Sequence, residues 1–142
     1  MKVIGLFLLG VLTLFVAGCS KNVSAVKGAS HPGYPTVKIG DAYQAAMNGA
    51  SWSETKTEKG QIIVQVKGEL KEKYRDSIVK NTSPKDMESL KNSKLSVTAK
   101  FTMRADGKSF DFGGVTADIQ DGPLKGKDMT LNVDRWYYTI ME

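Results

Sequence analysis

The chain contains one cysteine, one histidine and four prolines in 142 residues. A lone cysteine cannot close an intramolecular disulfide, so no bridge framework holds this fold. With a single histidine beside it, too few ligands exist for a Cys/His zinc site. No other motif asks for a metal or a cofactor. The same scarcity excludes the Ser-His-Asp and Cys-His nucleophilic schemes, because the one histidine falls in a segment read below as a tether. No apolar run reaches the ~20 residues that a helix needs to span ~30 Å of hydrocarbon. Basic residues outnumber acidic ones only by 20 to 15, and the lysines are dispersed without a basic block, so nucleic acid is not an expected partner. What remains is 41% hydrophobic and 25% charged, the composition of one ordinary globular domain.

The N-terminus departs from that average. Lys2 precedes residues 3 to 18, which carry no charge and close on Val16-Ala17-Gly18-Cys19. A positive start, an apolar stretch too short to span a membrane and small residues at its end describe a cleaved signal peptide. The last four residues resemble the lipobox of bacterial lipoproteins. The resemblance implies cleavage between Gly18 and Cys19 and a thioether-linked lipid, with palmitate-type acyl chains, on Cys19. The mature chain of residues 19 to 142 would then be held at the cell envelope, with the membrane as its first partner. Ser20 after the cysteine implies outer-membrane sorting in a Gram-negative cell.

Residues 20 to 35 (SKNVSAVKGASHPGYP) are small and polar, without apolar periodicity. They predict a flexible tether reaching ~50 Å extended and about 20–25 Å as a coil. His31 falls inside it, as a solvated linker residue. From residue 36 to 142 the pattern is that of a single α+β domain. Ile39, Tyr43 and Met47 share a helical face with Ala42 and Ala46, and Asn48-Gly49 is a helix stop. Ile62, Val64, Val66, Gly68 and Leu70 alternate with polar residues, as do Leu95, Val97, Ala99, Phe101 and Met103. Parity flips between Phe112 and Val115, which predicts a β-bulge at Gly113-Gly114. Ser83-Pro84 opens a short helical insertion around 84–92. Met129, Leu131 and Val133 start a last strand, whose parity changes again at Asp134-Arg135 before Trp136, Tyr138 and Ile140. The expected architecture is therefore a short helix packed on an antiparallel β-meander of about five strands, with a sandwich as the alternative.

The domain resembles small uncharacterised bacterial lipoproteins at Val37, Ile39, Gly40, Ala42, Trp52, Gly60 and Ile62 to Leu70, a likeness that carries no activity. The functional candidates are few. Asp106, Asp111, Asp118 and Asp121 are the carboxylates nearest to strand ends, and a pair of them could serve a small envelope hydrolase. Turns recruit aspartate for backbone reasons, so the stronger expectation is a non-catalytic binding or structural role at the envelope, with a protein partner. Trp52, Trp136, Tyr137 and Tyr138 are the aromatics that such an interface would use, because aromatic anchors dominate interface energetics. For Trp52 the first expectation is a cover for the apolar face of its hairpin, with recognition as the alternative.

Overall fold

The computed structural model describes residues 16–17, 20–79, 88 and 90–141. Gly18, Cys19 and the Ser83-Pro84 helix start lie outside them. The elements in chain order are β1 (Val16–Ala17), α1 (Lys21–Gly28), α2 (Ile39–Ala46), β2 (Met47–Lys56), β3 (Ile62–Leu70), α3 (Glu72–Val79), β4 (Leu95–Met103), β5 (Phe110–Ile119), β6 (Asp128–Thr130) and α4 (Val133–Met141). All strand pairs are antiparallel, and the sheet order follows the sequence from β1 to β6. This is the expected α+β meander.

Register explains why one face is dry. Trp52, Val66, Ala99 and Val115 are lateral neighbours, as are Glu54, Val64, Phe101 and Phe112. Side chains alternate across a strand, so these rows share the inner face. The other face carries Lys67, Lys100 and Thr116, all exposed. The pleat stays in phase along β5 because of a bulge. Lys100 pairs with Gly114 and Phe101 with Phe112, leaving Gly113 as the extra residue. Gly114 has φ +113°, a conformation closed to L side chains. The bulge returns Phe110 and Phe112 to the face that holds Val115, Ala117 and Ile119.

Two segments differ from the sequence reading. Residues 20–35 hold a helix where a flexible tether was expected. Ser20 caps α1 by accepting the Val23 N–H at 3.1 Å, and Val23 and Val26 are buried. α1 packs on α2, β2 and β3. The approach to α2 is close: a Cβ on Gly40 would sit 2.9 Å from the Lys27 Cβ. Asn22 Nδ2 donates to Glu54 Oε2 at 2.8 Å, fastening the start of α1 to β2. Two valines suffice because neighbouring elements supply the apolar surface that so short a helix lacks alone.

The second difference is at the C-terminus. The strand from Met129 ends at Thr130, and Val133–Met141 is helical. Asn132 Oδ1 accepts the Arg135 N–H at 3.0 Å, and the Asn132 carbonyl accepts the Trp136 N–H at 2.9 Å. The parity change at Asp134-Arg135 is thus a helix start, with Asp134 at the positive end of the dipole. α4 contacts α2, α3 and β5. None of the helices among the described residues is long and apolar enough to cross a membrane.

Candidate interaction surface

α4 sorts the candidate aromatics. Its inward face presents Trp136, Tyr137, Ile140 and Met141, all buried, and Tyr138 points outward, 62% exposed. Trp136 and Tyr137 are therefore core residues, contrary to the interface role expected of them, because 3.6-residue periodicity puts neighbours 136, 137, 140 and 141 on one side. The Trp136 indole donates to the Tyr43 hydroxyl at 2.9 Å inside the core. Tyr43 also meets Trp52 and Phe101 edge-on, at 5.7 and 5.9 Å between ring centroids.

An aromatic group reaches the surface beside α4. The His31 ring lies 4.2 Å from that of Tyr137, and Tyr137 lies 5.0 Å from Phe112. Tyr34 stands edge-on to Tyr138 at 6.5 Å. His31 is thus half-buried against the domain rather than solvated in a linker, and its Nδ1 accepts the Gly33 N–H at 3.1 Å. No sequence pattern joined residues 31 and 34 to the last helix.

Burial pushes the Tyr137 phenol up to about 12, and desolvation drives Tyr43 higher still. An unfolded tyrosine ionises near 10, so the folded state holds these protons more tightly. Their stabilising contribution is complete below about pH 10 and is lost as pH rises through the folded values. The urea midpoint should therefore fall between pH 9.5 and about 12, and Tyr137→Phe should flatten part of that fall. An identical slope in the variant would show that Tyr137 ionises as freely when folded as when unfolded.

Trp52 borders a different feature. Its ring is half-buried, stacked at 6.1 Å on Phe101, with the Lys27 ammonium 6.0 Å from its centroid. Beside it, a cleft of about 510 Å³ opens between the end of α1, α2 and the start of β2. Lys27, Gln44, Asn48, Trp52 and Lys71 line it, with Met47 and Gly49. A second bulge, between Asn48 and Ser51, shapes its wall. Gly68 opposite packs tightly, since a Cβ would meet the Met47 Cβ at 3.0 Å.

Three of the four aspartates are engaged by local partners. Asp106 accepts the N–H groups of Lys108 and Ser109 and the Ser109 hydroxyl, which lowers its carboxyl to about 2. Asp111 pairs with Arg104, which also holds its carboxyl down. Asp121 accepts the Lys94 N–H at 2.7 Å, and Asp118 lies in β5 opposite Ser96. No group of three metal-ligating side chains occurs among the described residues. No protein family, curated protein or solved structure matches the chain.

Proposed function

We propose that the protein is a bacterial lipoprotein, anchored through Cys19, whose domain works without catalysis by docking a protein of the cell envelope. The docking part rests on Tyr138. Among the described residues it is the one large hydrophobic side chain left exposed, on a helix whose other aromatics are core. A tyrosine offers large area at little entropic cost, and Tyr34 stands beside it to widen the contact. The anchoring part rests on the spacing of Lys2, the apolar run and Val16-Ala17-Gly18-Cys19. Two or more acyl chains would make that anchoring durable.

Because α1 begins one residue after Ser20, the lipidated cysteine would be joined almost directly to a packed helix. The domain would then lie against the bilayer instead of ranging 20 Å or more from it. Cleavage after Gly18 would also remove β1 and free the β2 edge at Ser53 and Glu54.

Metabolic palmitate labelling with membrane fractionation tests the anchor. Cys19→Ser should abolish the label and leave the chain unprocessed or soluble, and a labelled, membrane-bound variant would refute it. In-cell crosslinking tests the docking. Tyr138→Ala should weaken capture of a stoichiometric envelope protein by about 30-fold or more, the equivalent of a hot spot. Unchanged capture, or hydrolysis of cell-wall glycan by the purified chain, would overturn the reading.

A further inference from the structure

We infer that the cleft beside Trp52 is a second binding site, one that takes carboxylates from an acidic peptide segment of a partner protein. Its volume of about 510 Å³ falls in the range of ligand-binding clefts. Both charged groups in its lining, Lys27 and Lys71, are cations, and neither forms an ion pair with a described residue. A cleft whose charged lining is all cationic favours an anionic ligand. The C-terminal end of the α1 dipole accounts for Lys27, which lies in its last turn. It does not account for Lys71, which follows β3 and whose backbone N–H donates to the Ala46 carbonyl at 2.9 Å.

The other polar lining groups fit the same ligand. Gln44 and Asn48 carry amide N–H₂ donors, which can complete the shell of a carboxylate between the two ammonium groups. Trp52 argues against a sugar. Stacking on a glycan needs an open ring face, but Lys27 lies over the Trp52 ring and Phe101 stacks with it. The ring stiffens the Lys27 position and forms an apolar wall with Met47. Protein carboxylates are therefore favoured over an anionic polysaccharide. The inference extends the docking reading but does not require Cys19 or Tyr138.

The test uses the purified full chain and fluorescein-labelled hexaglutamate, read by fluorescence anisotropy at low salt. Binding should weaken about tenfold in Lys27→Gln/Lys71→Gln, the loss expected for two solvent-accessible charge contacts. Lys27→Arg/Lys71→Arg should keep it. Lys67→Gln/Lys100→Gln removes the same charge from the opposite sheet face and should change affinity less than twofold. Equal losses in the two glutamine double variants would mean attraction to net charge alone, and would overturn the site. So would failure of hexaglutamate to bind. Polygalacturonate binding that depends on Lys27 and Lys71 and outcompetes hexaglutamate would overturn the peptide assignment. Since the probe is synthetic and the variants spare Cys19 and Tyr138, failure here leaves the anchoring and the Tyr138 docking standing, and the converse holds.

Discussion

Trp136→Ala should cost about 3–5 kcal/mol of folding stability, measured by urea unfolding followed by circular dichroism. Trp136 is 1% exposed and is among the largest fully buried side chains. Truncation removes its contacts with the Tyr43 ring, 5.8 Å away between centroids, and leaves a cavity between α4 and α2. It also strips the Tyr43 hydroxyl of its indole donor. Domains of this size are stable by about 5–15 kcal/mol, so the loss would be a large share of the total. Trp136→Phe separates the two effects. It keeps most of the bulk and removes the N–H, and should cost about 1–3 kcal/mol. A loss below ~1 kcal/mol for the alanine variant would mean that α4 does not seat on the core.

Val26→Asp should destabilise the domain by about 3–5 kcal/mol, the scale of a buried charge without a partner. Val26 is fully buried in α1, between α2 and the sheet, where a carboxylate would lose its water and find no cation arranged to receive it. Ser24, two residues back and on the exposed side of the helix, is the control. Ser24→Asp should stay within about 0.5 kcal/mol, as surface substitutions do. In a flexible tether both changes would be neutral. Equal urea midpoints for the two variants would therefore restore the tether.

The strands were legible because their signal is local. Leu95 to Met103 alternate without a break, and the sheet buries Leu95, Val97, Ala99, Phe101 and Met103. The bulge at Gly113-Gly114 followed from the same arithmetic, since a period of two reveals any extra residue. The last helix was misread because Trp136, Tyr138 and Ile140 satisfy strand parity over so short a window, while Trp136, Tyr137, Ile140 and Met141 satisfy helical spacing. Asn132 and Asp134 were the local signs of a helix start. α1 offered less, only Val23 and Val26 among small and polar residues, and its helical state depends on surfaces supplied by α2 and the sheet.

Sequence alone determined the meander, its bulge, and the uncharged apolar run that ends at the single cysteine. Each is a statement about neighbours along the chain, where periodicity and spacing act directly. Tertiary structure decided which aromatics face outward, that His31 rests on Tyr137, and that Lys27 and Lys71 share one cleft. Those are contacts between residues far apart in the chain, and burial or charge pairing of that kind exists only once the helices have packed on the sheet.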